Sequence, residues 1–512
     1  MITPRPLPLS PSLLLSFSLS LLLSLSVTAS AATPPAATPK RPNVLFIAID
    51  DLRNDLGAMG AAHARTPQLD AFAASARIFS HHYVQVPTCG ASRGALLRGR
   101  YPTEAAHVGN GSIATTHANW GDANLPAWFK SHGYRTYALG KITHYPGGRT
   151  GKLWHDGPEE LPGSWTRSWI PQTPWNEAEK IMHGYANGVP RTSGQTPPLE
   201  AFPGADSAYP DAWVADEAVK NLRDLAASSE PWFFAVGFFK PHLPFAAPKR
   251  FFDLHDPEKI PALDPAAAAK PAWPSTWHAS NEFRKNYGHA GRDPDTDPAY
   301  TRELRRAYAA ATSYVDAQVG RVLDALKALD PARETIVVVW GDHGLLLGEH
   351  AIWGKHCLYE HSLRSPLLIR APGLAQPGAT STALVETVDI FPTLTDLCGL
   401  PTPGTLDGRS LRPQLDRPAT PAAKPARGFW TDGQRTIRTA RWRLIAARAA
   451  DGSPQFELFD YANDPFETRN HAAAHPEVIR DLLAQLALRP ELPAPAQKSS
   501  PKKKSSANTP DL

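Results

Sequence analysis

Three stretches of this chain are apolar, of strand length, and stop abruptly at ionisable residues: NVLFIAIDD (43–51), WFFAVGFFKPH (232–242) and TIVVVWGDHG (335–344). A fourth, TYALGK, ends at Lys141, with His144 three residues on. A strand that is apolar at every position, without alternation, is covered on both faces, as the inner strands of parallel sheets are. Between these runs lie stretches such as 305–329, whose apolar residues recur at three- and four-residue spacing and predict helices. Strands alternating with helices predict an α/β fold: a large mixed, mostly parallel sheet with helices on both faces.

In such a sheet, ligands sit outside the carboxyl ends of the strands. If the four runs are parallel, their polar ends share one rim. The rim then carries two sets of groups. Asp50, Asp51 and Asp342 are acids that repel one another in a small volume unless a cation sits among them. Carboxylate oxygens with one imidazole suit Ca²⁺, with Mg²⁺ the alternative. Lys141, His144, His242 and, from WGKHC, Lys355 form the opposing set of cations and donors. A metal beside cationic donors is what an anionic ester of sulfur or phosphorus requires.

The stretch VPTCGASRGALLRGR (86–100) holds one of only three cysteines, Cys89, with Cys357 and Cys398 far along the chain. A helix is predicted to begin at Ala91 or Ser92, which puts Cys89 just before its N-terminus, where free N–H groups favour an anion. On that helix Arg93 and Arg100 return toward one side. The stretch also spells G-x-S-x-G, which would make Ser92 a hydrolase nucleophile with Asp342 and His343 downstream. That reading fails physically: sequence neighbours at a strand end point apart, so Asp342 cannot orient His343, and Asp50, Asp51 and the lysines are left without work.

The ends of the chain have their own character. Arg5, the apolar run 13–27 and Ala29-Ser30-Ala31 have the form of an export signal, too short and serine-laced for a spanning helix. The expected organisation is a signal peptide at 1–31, a Pro/Ala linker at 32–41, a main domain at 42–400, a C-terminal subdomain at 401–490 and a disordered basic tail at 491–512. The mature protein is therefore expected in a periplasm or outside the cell, with no stable membrane insertion once the signal is cleaved. Three cysteines allow at most one bridge. The net charge of +4 comes mostly from Lys498, Lys502, Lys503 and Lys504, so the body is near neutral and makes no case for nucleic-acid binding. After the Pro-rich span 401–425, QRTIRTARWRLIAAR, the turn ADGS and QFELFDY predict an antiparallel meander, and 476–488 a helix, together a small sheet-plus-helix subdomain.

CGASRGALLRGR resembles the sulfatase signature, and the resemblance continues in order through RPNVLFIAIDDLRNDLG, GKITH, AVGFFKPHLPF, GDHGLLLGEHAIWGKH and VDIFPTL. The details are most similar to the iduronate-2-sulfatase-type branch. The resemblance implies an alkaline-phosphatase/sulfatase-like fold and a sulfuric ester hydrolase whose Cys89 is converted to formylglycine by a maturation enzyme. It implies Asp50, Asp51, Asp342, His343 and modified Cys89 as metal ligands, Arg93 as the residue holding the formylglycine, and Lys141, His144, His242 and Lys355 as sulfate and leaving-group contacts. Ala91 stands where the commonest signature has proline, which bears on which maturation enzyme recognises the chain. A phosphonate or phosphodiester hydrolase on the same scaffold is the main alternative. An inert sulfated-glycan-binding protein results if Cys89 stays unmodified.

The branch suggests a sulfated carbohydrate, a 2-O-sulfated uronate or a related polysaccharide unit. A uronate adds a carboxylate beside the sulfate, so further cations or donors are expected near the Lys355 loop: His350, His356 and Arg364, with Trp353 to stack on a sugar face.

Overall fold

A computed structural model describes residues 41–120, 123–145, 159–271, 275–329, 335–449 and 451–487. The expected signal peptide, nearly all of the expected linker, and the expected basic tail lie outside these residues. Among the described residues no helix is long and apolar enough to cross a membrane.

The predicted runs are strands of one eight-stranded sheet, in the order Thr380–Glu386, Arg77–Tyr83, Leu367–Arg370, Thr335–Gly341, Asn43–Ile49, Trp232–Phe238, Arg135–Gly140, Arg167–Trp169. The centre is parallel. Asn43–Ile49 pairs with Thr335–Gly341 on one side and with Trp232–Phe238 on the other, and Trp232–Phe238 pairs in parallel with Arg135–Gly140. Leu367–Arg370 is the antiparallel exception that makes the sheet mixed.

Alternate residues of each central strand enter different cores. Leu45, Ile47 and Ile49 join Val214, Leu222, Val315 and Val319 of the helices Pro210–Ala226 and Pro298–Ala328. Val44, Phe46 and Ala48 join Leu96, Leu97, Phe129 and Phe391 on the other face. Burial on both faces is why the runs show no alternation; each fully buried Val, Leu, Ile or Phe contributes about 1.5–3 kcal/mol. The register sets the site. Ile49 is level with Phe238 and Gly341, and Gly140 is level with Gly237, so the residues that follow each strand emerge on one rim.

The C-terminal part is a four-stranded antiparallel sheet: Ala426–Phe429, Arg435–Arg438, Trp442–Arg448 and Pro454–Asp460. Its first strand was not foreseen, because it follows the Pro-rich span directly. The helix Pro476–Ala487 covers one face through Ile479, Leu482 and Leu486. The other face meets the Lys355 loop. Glu457 is buried there and accepts hydrogen bonds from the Tyr359 hydroxyl (3.1 Å) and from Ser275.

Burial lifts the Glu457 carboxyl from 4.5 to about 7. A carboxyl raised on folding contributes stability that is fully present below its unfolded pKa and lost as pH climbs through the folded one. Glu457→Gln stays neutral. Its Tm relative to the native chain is therefore expected to be higher above about pH 8 than at about pH 5. A calorimetric difference that does not change with pH would contradict this.

Candidate active site

Each strand end supplies its side chain for a local reason. Asp50 and Asp51 follow Asn43–Ile49 and are fully buried. Asp51 has a φ of 55°, a left-handed conformation that costs a non-glycine residue about 1 kcal/mol or more. Its N–H donates to Asp342 Oδ1 at 2.9 Å. His343, next in sequence, places its Nδ1 2.8 Å from the Gly344 carbonyl, which fixes the ring and leaves Nε2 facing Cys89 Sγ and Asp51 Oδ1, both at 3.3 Å.

The helix that carries the signature begins at Cys89 itself, two or three residues earlier than predicted, with extended Thr88 as N-cap. Thr88 Oγ1 donates to Asn110 Oδ1 (2.9 Å), and so does the N–H of Gly90 (3.0 Å). A Cβ on Gly90 would lie 2.1 Å from the Asn110 carbonyl oxygen, so only glycine lets the helix start pack here. Ser92, the residue of the hydrolase alternative, is buried and donates to the Asp342 carbonyl, tying the helix to the strand end. Arg93 is fully buried. Its Nε donates to Asp342 Oδ2 at 2.9 Å and its Nη2 to Asp50 Oδ1 at 3.2 Å, and Nη1 caps the carbonyls of Lys141 and Ile142 (3.3 Å to Ile142). Arg100 does not join it: the helix ends at Arg98, Gly99 turns at φ 62°, and Arg100 is exposed.

The remaining cations close the ring. Lys141 Nζ lies 2.5 Å from Asp50 Oδ2. Lys355 Nζ donates to both Asp51 oxygens at 2.9 Å. His242 binds the Leu243 carbonyl through Nδ1 (2.7 Å) and directs Nε2 toward Asp51 (3.9 Å). His144 Nδ1 is buried with no hydrogen-bond partner among the described residues. Lys240 turns away and donates to the carbonyls of His242 and Pro244, bracing the turn that presents His242.

Charge pairing overrides burial for two of the acids. Burial acts to raise Asp50, but Lys141, His242 and Arg93 more than offset it and hold the carboxyl well below its usual range. For Asp51 burial is likewise outweighed by Lys355 and the two histidines. Burial wins at Asp342 and raises it. Burial and the neighbouring Asp50 push the Cys89 thiol well up, so the unmodified cysteine is a poor nucleophile. Burial and Lys141 drive His144 well down, leaving a neutral imidazole.

The donor set fits a hard divalent cation. Ligand atoms of Asp50, Asp51, Cys89 and His242 lie within 4.8 Å of one another, as do those of Cys89, Asp342 and His343. Oxygens at about 2.3–2.6 Å from a central Ca²⁺ span a comparable distance across it.

Of the residues expected to meet a sugar, one comes beside the start of the Cys89 helix. His356 Nε2 sits 3.2 Å from Thr88 Oγ1, and its ring stacks on Trp430 at 5.3 Å. Trp353 does not: it is 2% exposed and stacked on Phe283 (5.3 Å), because Leu346–Leu347 and Trp353–Gly354 form a hairpin that turns it into the core. His350 is buried against Tyr359 (ring centroids 4.4 Å). The Arg364 side chain donates to the Ser80 carbonyl (2.7 Å) and lies 3.8 Å from Glu360. Two residues that sequence reasoning missed do reach the site. Glu282, from the short helix Asn281–Asn286, lies 3.4 Å from His242 Nε2 and 3.6 Å from Lys355 Nζ. The His183 ring is 5.2 Å from that of His242. Neither stands at a predicted strand end or in a quoted motif, so no sequence signal marked them.

An α/β sheet of alkaline-phosphatase/sulfatase type with such a rim defines a hydrolase of tetrahedral anionic esters. Comparison narrows the class. The sulfatase family profile matches residues 42–400, and one described as N-sulphoglucosamine sulphohydrolase, C-terminal, matches 348–490. A sulfatase of Formosa agariphila is 30% identical over 462 residues, 84% of this chain and 83% of that protein. Human iduronate 2-sulfatase is 31% identical over 399 residues, 70% of each chain. The crystal structure of a phosphonate monoester hydrolase of Agrobacterium radiobacter superposes with a TM-score of 0.70 at 25% identity, covering 88% of this chain and 96% of that one. The chain belongs to the sulfatase family and is a sulfuric ester hydrolase.

Proposed function

We propose that this enzyme removes sulfate from a sulfated carbohydrate, using formylglycine made from Cys89 and a divalent cation held by Asp50, Asp51, Asp342 and His343. The observation that carries the reading is the convergence of a helix N-terminus bearing Cys89, a buried carboxylate cluster and the lysines Lys141 and Lys355 on one rim. Ca²⁺ is the proposed ion and Mg²⁺ the alternative. The iduronate 2-sulfatases among the relatives make a 2-O-sulfated uronate or a related polysaccharide unit the first substrate to try. The leader at 1–31 supports a periplasmic or secreted location, and the signature around Cys89 supports a formylglycine-generating enzyme as partner.

When present, the hydrated aldehyde supplies a nucleophilic hydroxyl and the cation offsets charge on the sulfate oxygens. The chain's own residues do the rest. Arg93 fixes Asp50 and Asp342 relative to the Cys89 helix. Lys141 and Lys355 donate to sulfate oxygens as negative charge builds there. His242 Nε2, free of backbone bonds, delivers a proton to the departing alcohol. His144, neutral and with an unpartnered Nδ1, accepts the proton from position 89 that lets sulfate leave.

A second reading, phosphonate or phosphodiester hydrolysis, is favoured by the likeness to the phosphonate monoester hydrolase. Both are tested together. Sulfate and phosphate release are measured from a 2-O-sulfated uronate disaccharide, an aryl sulfate and a phosphodiester. A chelator is expected to abolish all turnover, and Ca²⁺ or Mg²⁺ to restore it. Turnover that survives chelation rules out the metal. A higher kcat/KM on the aryl sulfate than on every saccharide removes the carbohydrate assignment. Preference for the phosphodiester overturns the reaction.

A further inference from the structure

The mouth of the site holds a carboxylate where a uronate-binding enzyme would want a cation. Glu282 is wedged between His242 and Lys355, its side chain 24% exposed. It comes from a separate helix, and it is additional to the three rim acids that accompany Cys89. Among the described residues, the cations in this region have other carboxylate partners. Lys355 pairs with Asp51, Lys141 with Asp50, and Arg191 with Glu179 (2.7 Å). His356, the one expected sugar contact beside the Cys89 helix, is pushed down by burial to about 3 and so is neutral. Among the described residues, Glu282 is the most exposed of the four carboxylates that meet these cations; Asp50, Asp51 and Asp342 are fully buried.

We propose that Glu282 is a specificity-determining residue. Its carboxylate accepts a hydrogen bond from a hydroxyl beside the sulfated carbon and disfavours a leaving sugar that bears its own carboxylate. This rests on the reading that the site cleaves sulfated carbohydrates, and it turns that reading from uronates toward neutral sugars. Like charges a few ångströms apart at a half-open site repel enough to alter rates about tenfold or more. A neutral sugar instead gains a charge-assisted hydrogen bond.

The test uses the full chain with formylglycine confirmed at position 89 and the metal supplied. Two substrates differ in one group: a 2-O-sulfated uronate disaccharide, and the same disaccharide with its carboxylate reduced to an alcohol. The native enzyme is expected to favour the reduced form by about tenfold in kcat/KM. In Glu282→Gln that ratio falls toward one, and in Glu282→Asp it is largely kept. Any effect of Glu282 on folding or on His242 acts on both substrates and cancels in the ratio. A native preference for the uronate, or the same ratio in the native enzyme and Glu282→Gln, overturns the proposal. If neither saccharide is cleaved while an aryl sulfate is, the carbohydrate reading fails on its own. The same comparison between an aryl sulfate with and without a ring carboxylate then decides the role of Glu282.

Discussion

Cys89→Ala is expected to lower kcat/KM on any sulfate ester by about ten-thousandfold or more, the scale on which removal of a covalent nucleophile acts. The fold should survive. Cys89 is 1% exposed and small, it stands at the first turn of its helix, and its thiol contacts His343 and Asp51 only at 3.3 and 3.9 Å. Deleting one small polar group at a metal-binding centre leaves Arg93, Lys141 and Lys355 to balance the three acids. Circular dichroism and the thermal midpoint should stay near those of the native chain while turnover vanishes. Mass spectrometry of the native peptide containing residue 89 completes the test: an active enzyme carrying only unmodified cysteine there would falsify the proposed nucleophile.

Arg93→Met is expected to damage both stability and rate. Arg93 and its two carboxylate partners are completely buried, and the guanidinium fork reaches Asp342, Asp50 and two carbonyls at once. Methionine fills much of the volume but leaves buried charges short of a partner. Removing one member of a buried ion pair costs about 3–5 kcal/mol. Lysine should not rescue it well, because one ammonium cannot reproduce the planar fork. Urea unfolding with the metal chelated should reveal the full loss, and added Ca²⁺ should recover part of it by offsetting the same carboxylates. A chelated variant as stable as the native chain would show that Arg93 does not hold the cluster together.

The legible part of the site follows from local chemistry. Runs such as NVLFIAIDD announce both a doubly covered strand and the acids at its end. Because the central strands are parallel and in step, residues at equivalent places in sequence became neighbours in space: Asp50, Asp342 and Lys141 needed only the sheet to form. The helix that Cys89 begins was equally readable, although the expected start lies two or three residues late. Small residues and a cap without a side-chain bond leave the first turn unmarked.

The unreadable part depends on chain paths. Trp353, His350 and His356 lie within seven residues, so sequence gives them similar prospects at a sugar site. A hairpin of two short strands sends Trp353 into the core, a left-handed backbone at His350 (φ 55°) turns it onto Tyr359, and His356 comes beside Thr88 at the start of the Cys89 helix. Glu282 is the converse case: 40 residues past His242 and without a motif, it ends 3.4 Å from that ring.

The sequence by itself determined the family, the sheet and the charges on the rim. Those follow from burial patterns and residue chemistry that act over a few residues. Only the tertiary structure decided which loop residues come close to the rim and that a fourth carboxylate lies 3.4 Å from His242. That choice depends on how distant segments pack, and packing is fixed by contacts between residues that nothing in the local sequence links.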